Sequence, residues 1–359
     1  MKPDITIIGG GPAGLCAAIE AAGRGAKILL IERDGILGGQ LNKQTHKFFG
    51  AKEQYASVRG VDIAHTLIDE IEKNKDITVW TTATALGMYE DGVITVEHNG
   101  GYKKIQTKTI IVATGASEKF LTFENNDLPG IYGAGAVQTL MNLHGILPAK
   151  EVVMVGAGNI GLIVSYQLIQ AGVKVKAIMC TGPSIGGYWV HASKLRRMGV
   201  PILTNHTVQR ANGKEHLTSV TVVKVDENRK PVDGTQFDIE CDNLCISAGL
   251  SPLTELLWQI GCKMQFCSDL GGFVPIRNKY LGTTLANVFI AGDVSGVEEA
   301  SAAMVEGRVA GLSAVKQAGF YKKEHDARMN TLMGQLAALR SGDAGNRIRK
   351  GMAQVETLN

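Results

Sequence analysis

No two cysteines of this chain form a C-x-x-C pair: Cys16, Cys180, Cys241, Cys245, Cys262 and Cys267 all stand at other spacings. That absence removes the nucleophile pair on which disulfide exchange depends. Cys241 with Cys245, and Cys262 with Cys267, also lack the spacing of a zinc or iron–sulfur framework, so no metal site is expected. Cys16 falls in an Ala-rich helical segment and Cys245 in an apolar strand, where a thiol acts as a small hydrophobe. Apolar runs stop short of the roughly 18 residues that a membrane-spanning helix needs. Charge of one sign is missing as well. The 37 Lys and Arg against 34 Asp and Glu leave a net charge of +3, too small and dispersed to recognise nucleic acid. Met1-Lys2-Pro3-Asp4 runs straight into a strand, leaving no room for a signal peptide, and the cytoplasm is the expected location.

Glycine, in contrast, is abundant. The 359 residues include 44 glycines, above the usual share of about 7%, with no collagen-like period. Tight turns and close backbone approaches are expected, and a hydrophobic fraction of 45% is enough to build the cores of two or three domains.

Residues 5–32 organise the chain. An apolar strand, Ile5-Thr6-Ile7-Ile8, delivers it to Gly9-Gly10-Gly11-Pro12-Ala13-Gly14, an Ala-rich helix follows, and a second strand ends in Glu32. This is the pattern of a dinucleotide-binding βαβ unit. Gly9 suits a tight turn, Gly11 lets the backbone approach a pyrophosphate, and Gly14 lets helix and strand pack closely. The helix start then offers free N–H groups to phosphate, and Glu32 stands where a carboxylate accepts ribose hydroxyls. Beyond it, Gly38, Gly39 and Gln40 form a loop expected to pass over an extended cofactor. Ala113-Thr114-Gly115 ends a buried strand in small residues able to lie against a ligand.

A second unit begins at Glu151: Val152-Val153-Met154-Val155 feeds Gly156-Ala157-Gly158-Asn159-Ile160-Gly161, then a helix and another strand. It repeats the first, except that the position matching Glu32 by spacing is Met179, with Cys180 beside it. Neither accepts ribose hydrogen bonds as Glu32 does. Either this half binds a nucleotide differently or it is a retained scaffold. Gly186-Gly187-Tyr188-Trp189 precedes a short helical piece bearing Arg196 and Arg197, expected as a solvated helix end. Ala248-Gly249 closes another strand, and Gly292-Asp293 a later one, before an Ala-rich helix. Met329, Leu332, Met333, Leu336 and Leu339 make an amphipathic stripe expected to dock, and residues 341–359 are expected as a polar tail.

This order of motifs resembles the two-dinucleotide-binding-domain flavoproteins, which include thioredoxin and glutathione reductases. The resemblance covers residues 4–318. Asp127-Leu128-Pro129-Gly130, Gly133 to Gln138, Gly261-Cys262 and Gly271-Gly272-Phe273-Val274-Pro275 narrow it. They are similar to the α-type subunits of sarcosine oxidase, dye-linked proline dehydrogenase, and opine and cyanide-forming oxidases.

The fold class implied is α/β, with two Rossmann-like three-layer domains, the second inserted in the first. Residues 1–116 with 250–325 would bind FAD, residues 117–249 would form an NAD(P)-type domain, and 326–359 a C-terminal helix and tail. The FAD contacts implied are Gly9, Gly11, Pro12, Ala13, Gly14, Glu32 and Arg33, then Gly38, Gly39, Gln40, Thr45 and Ala83. Ala113, Thr114, Gly115, Gly292, Asp293, Glu299 and Ala300 complete them. The second site would use Gly156, Gly158, Asn159, Ile160, Gly161 and Gly249 for NAD(P) or another adenine nucleotide.

No His–Asp or Glu pairing suggests acid–base chemistry, and His46 and His191 are expected as ordinary loop or surface residues, so no side chain is assigned as catalytic. The resemblance implies an electron-transferring subunit of an amino-acid or amine dehydrogenase. Its partners would be a β-type flavoprotein and a small iron–sulfur subunit. The alternatives are a self-sufficient NAD(P)H-dependent flavin reductase and a non-catalytic nucleotide-binding scaffold.

Overall fold

Ile5–Ile8, Ile28–Ile31 and Thr109–Val112 consist almost wholly of β-branched and aliphatic residues and are buried at every position. Strands covered on both faces read this way, and they form the centre of a parallel sheet. In the computed structural model, which describes residues 2–343 and 345–357, that sheet runs in the order Val288–Ile290, Thr109–Val112, Ile5–Ile8, Ile28–Ile31, Ile77–Trp80. Strand order reverses between Ile5–Ile8 and Thr109–Val112, and the crevice at the carboxyl ends of such a pair is where open α/β sheets take ligands. Gly9 and Ala113 stand there. Each fully buried isoleucine contributes about 1.5–3 kcal/mol, so Ile5 and Ile7 anchor the strand that carries the glycine turn.

The chain divides into two compact units, Met1–Ser117 with Leu250–Asn359, and Glu118–Gly249. In the first, the helix Pro12–Ala21 lies against Ala300–Gln317 with almost no space between them. A Cβ on Gly307 would come within 2.1 Å of the Ala13 carbonyl oxygen, and one on Gly311 within 2.4 Å of that of Ala17. The Ala-rich composition of both helices gives this close approach, and the glycine pair permits it. Between Ile77–Trp80 and Thr109–Val112 the chain forms an antiparallel insert, Ala83–Met88, Val93–His98 and Gly101–Gln106, whose last two strands turn at Asn99-Gly100, both at positive φ.

The C-terminal segment belongs to the first unit. His325–Leu339 buries Leu332 and Leu336 and ties Arg328 to the buried Glu20 at 2.7 Å. Within the stretch expected as a polar tail, Asn346–Val355 is a helix that buries Ile348, Met352 and Val355 against Cys267, Leu270 and Val274. Three apolar residues at helical spacing in a charged run were too few to show this helix from sequence.

The second unit repeats the first. Its parallel sheet runs Ile202–Thr204, Lys174–Cys180, Glu151–Val155, Asn243–Ile246, Ile131–Gly133, beside an antiparallel sheet of His206–Gly213, Leu217–Lys224 and Phe237–Glu240. The register of its first two strands jumps from Val152 opposite Val175 to Val153 opposite Ala177, a bulge that adds one residue. The fold is α/β with two Rossmann-like units, the second inserted in the first. Among the described residues no helix is long and apolar enough to cross a membrane, and no cluster of His, Cys, Asp or Glu is suited to a metal ion.

Candidate cofactor sites

The first glycine turn is fixed by space. Gly9 has φ +110°, and a Cβ there would lie 2.3 Å from the Ala113 oxygen, while one on Gly14 would lie 1.8 Å from the Gly9 oxygen. Strand, turn and helix therefore meet only as glycines. At Gly11 the nearest atom to an added Cβ is the Gly39 Cα at 4.0 Å, so this face is open. Helix Pro12–Ala21 starts with no side-chain cap and with Pro at its first turn, which leaves its N-terminal end available to an anion.

Glu32 is buried, and it has a task that spacing alone did not indicate. Its Oε2 accepts the Gly10 N–H at 2.6 Å and its Oε1 the Asp34 N–H at 2.8 Å. These charge-assisted bonds clamp the glycine turn to the end of the second strand. A carboxylate has about four lone-pair sites, so capacity for ribose hydroxyls remains.

The following loop rests on the turn. Gly38 donates to the Gly10 oxygen at 2.8 Å, and a Cβ on Gly39 would come 2.8 Å from the Gly11 Cα. Arg33, Gln40 and Thr45 are exposed. Ala83 is buried, and its N–H donates to the Glu32 carbonyl at 2.9 Å, which gives it a structural task.

Two further segments close on the same place. Ala113-Thr114-Gly115 leaves the central sheet, with the Thr114 hydroxyl donating to the Leu253 carbonyl at 2.7 Å and Gly115 at φ +77°. Gly292, also at φ +77°, would bring a Cβ 2.8 Å from that of Ala13, so the Gly292-Asp293 turn abuts the helix start. Beneath it Glu306, 2% exposed, accepts the Gly292 N–H at 2.9 Å and the Ser295 hydroxyl at 2.6 Å. Glu299 is exposed and precedes Ala300, the first residue of the long helix. The structure thus gathers the glycine turn, Glu32, Gly38, Gly39, Ala113 and the Gly292-Asp293 turn. Glu306 and Gly307 were not read from sequence, where they look like an ordinary helix interior.

Burial pushes the Asp293 carboxyl up to about 7, with Glu306, Glu298 and Glu299 adding like charge. A folded-state value above the unfolded one of 3.8 means that the folded protein holds the extra proton between about pH 4 and 7. Stability is therefore lost as pH rises through that window. Asp293→Asn is expected to stabilise the flavin-free protein at pH 8 by about 1–3 kcal/mol, with the gain shrinking toward pH 4. Thermal melts across pH check this, and a gain that grows in acid would contradict it.

The second turn is built alike. Gly156 at φ +111° would place a Cβ 2.1 Å from the Ser247 oxygen, Gly161 one 2.0 Å from the Gly156 oxygen, and Gly158 meets nothing within 4 Å. Gly186 and Gly187 both donate to the Ala157 oxygen, at 3.1 and 3.0 Å, and the Tyr188 N–H to Asn159 Oδ1 at 2.8 Å. This loop rests on its glycine turn as Gly38 and Gly39 rest on theirs, a correspondence not apparent from the sequence. Ile160 is exposed, and the Gly249 carbonyl takes the Lys119 N–H at 2.9 Å.

Strand register offsets the second unit from the first by one residue. Gly9 donates to the Ile31 carbonyl and Gly156 to that of Met179, so Met179 matches Ile31, and the counterpart of Glu32 is Cys180. The bulge supplies the extra residue. Met179 is fully buried, while the Cys180 thiol points to the Gly182 and Ser184 carbonyls at 3.8 and 3.7 Å. Burial pushes the thiols of Cys16 and Cys241 up to about 11 and 12 and raises those of Cys180, Cys245 and Cys262. None of these five is an activated nucleophile.

Residues 3–307 match the family model described as pyridine nucleotide-disulphide oxidoreductase. An opine oxidase chain of Agrobacterium tumefaciens (strain Ach5), named as one subunit of that enzyme, is 27% identical over 87% of this chain and 65% of its own length. The alpha subunit of sarcosine oxidase from Corynebacterium sp. (strain P-1) is 28% identical over 88% of this chain and 33% of its own. The chain thus spans about two thirds of one relative and one third of the other. Thioredoxin reductase of T. acidophilum superposes with a TM-score of 0.73 at 21% identity, covering 88% of this chain and 99% of that one. With both glycine turns, the repeated sheet order and the match over most of its length, this chain belongs to the pyridine nucleotide-disulphide oxidoreductase family and has the two-domain architecture of its flavoproteins.

Proposed function

We propose that this chain is the FAD-binding, electron-transferring α-type subunit of a heteromeric dehydrogenase or oxidase acting on an amino acid or amine. The observation that carries the reading is a complete first dinucleotide turn, clamped by Glu32, in a chain with no C-x-x-C pair. The donor set fits FAD. The N-terminal end of Pro12–Ala21 takes the pyrophosphate, the spare lone pairs of Glu32 take ribose hydroxyls, and the Gly292-Asp293 turn meets the flavin half. Flavin, when bound, supplies the two-electron chemistry, while the chain's own groups orient it and set the local charge.

Relatives whose names mark them as subunits support assembly with other chains. A β-type flavoprotein that oxidises the substrate and a small iron–sulfur chain are the proposed partners, in the cytoplasm. Titrating the flavin-free chain with FAD and following flavin fluorescence tests the site. Saturation near one FAD per chain is expected, and absence of binding would refute the reading.

The second unit is proposed to hold NAD(P) or another adenine nucleotide less firmly, because Cys180 offers no carboxylate. Cys180→Glu would give the Ala157 N–H an acceptor and ribose hydroxyls a charged partner. Such a bond contributes about 1.5–3 kcal/mol, so NAD⁺ affinity measured by calorimetry is expected to rise about tenfold or more. Unchanged affinity would count against a nucleotide at this turn. That turn also favours one second reading, an NAD(P)H-dependent flavin reductase serving a small redox protein. Anaerobic bleaching of bound flavin by NADH or NADPH would support it.

A further inference from the structure

The family match ends at residue 307, yet a group well beyond it completes the floor of the Gly292-Asp293 turn. Arg340 caps the C-terminal end of His325–Leu339 and is 8% exposed. Its guanidinium holds Glu298 Oε2 through Nε and Nη2 at 2.9 and 2.7 Å, and the same Nη2 reaches Glu306 Oε1 at 2.5 Å. The other Glu306 oxygen carries the Gly292 N–H and the Ser295 hydroxyl. The Glu298 N–H reaches Asp293 Oδ1 at 3.4 Å. Arg277, fully buried, donates to the Ser295 carbonyl and contacts Met352 of the last helix. The turn is therefore held from below by buried charges whose cations all lie outside it.

We infer that Arg340 is a positioning residue: as the counter-ion of Glu306 and Glu298 it holds the Gly292-Asp293 turn in the shape that receives the flavin. The inference rests on the proposed placing of FAD at this turn. A carboxylate as buried as Glu306 stays ionised only when paired. Without Arg340 it would take up a proton or move toward water, and the Gly292 N–H would lose its charged acceptor. A lysine keeps one positive charge but not the planar fork that engages both carboxylates, so it would hold the turn only in part.

The test begins without flavin. Hydrogen exchange of the amides of residues 292–296 is compared in wild type, Arg340→Met and Arg340→Lys. Exchange in Arg340→Met is expected to quicken tenfold or more in this segment, with Ile5–Ile8 unchanged, and Arg340→Lys to fall between. FAD titrations of the same proteins should weaken in the same order, tenfold or more for Arg340→Met. Wild-type exchange at residues 292–296 in Arg340→Met would overturn the inference, and so would a loss spread evenly over the first unit, which would make Arg340 a general tether. Should Arg340→Met not accumulate, Arg340→Lys decides: threefold faster exchange in the turn supports the role and wild-type exchange refutes it. Failure of the wild type to bind FAD would sink the cofactor reading alone, since exchange still judges Arg340.

Discussion

Glu32→Ala is expected to weaken FAD binding by about 10- to 100-fold. The mutation removes the acceptor of the Gly10 and Asp34 N–H groups and the carboxylate available to ribose. A hydrogen bond to a charged group contributes about 1.5–3 kcal/mol, and an unsatisfied buried Gly10 N–H adds its own desolvation cost. Glu32→Gln retains a neutral acceptor and is expected to fall between. Fluorescence titration gives the affinities, and equal dissociation constants for wild type and Glu32→Ala would contradict the role given to this residue.

Gly307→Val is expected to cost more stability than any substitution at an exposed glycine, about 3 kcal/mol or more. Its Cβ would sit 2.1 Å from a backbone oxygen of Pro12–Ala21, a distance no contact sustains. Two helix backbones would have to part, and the glycine turn at the start of one of them would move with it. Gly334→Ala is the control: in the middle of His325–Leu339 its Cβ meets nothing within 4 Å. That change is expected to be neutral, or stabilising by up to about 1 kcal/mol, because alanine is the better helix former. Thermal melts and soluble yield compare the two. A Gly307→Val protein as stable as Gly334→Ala would mean that the helices are not packed as closely as described.

The architecture was legible where one residue type admits one geometry. An apolar strand running into Gly9-Gly10-Gly11-Pro12-Ala13-Gly14 can hardly be anything but a strand, a tight turn and a helix, and its repeat at Gly156 revealed the second unit. What stayed hidden depended on register or on distant partners. Counting residues from Gly156 arrives at Met179, but the bulge opposite Val152 and Val153 moves the equivalent of Glu32 to Cys180. No local pattern marks a bulge of this kind. Gly307 and Gly311 look like weak points of a helix until Ala13 and Ala17 are placed against them. Arg340 acquires meaning only once Glu306, 34 positions earlier, is buried beside it. The helix Asn346–Val355 was concealed by charge, its three buried apolar side chains being outnumbered by polar ones.

The division of labour proposed for this chain is tested most directly by the visible spectrum of the FAD-loaded protein under anaerobic conditions, with proline or sarcosine added. An electron-transferring subunit predicts a flavin band that stays oxidised when the chain is alone and bleaches once the amine-oxidising partner from its native complex is supplied. Bleaching by the amine with this chain alone would contradict the account.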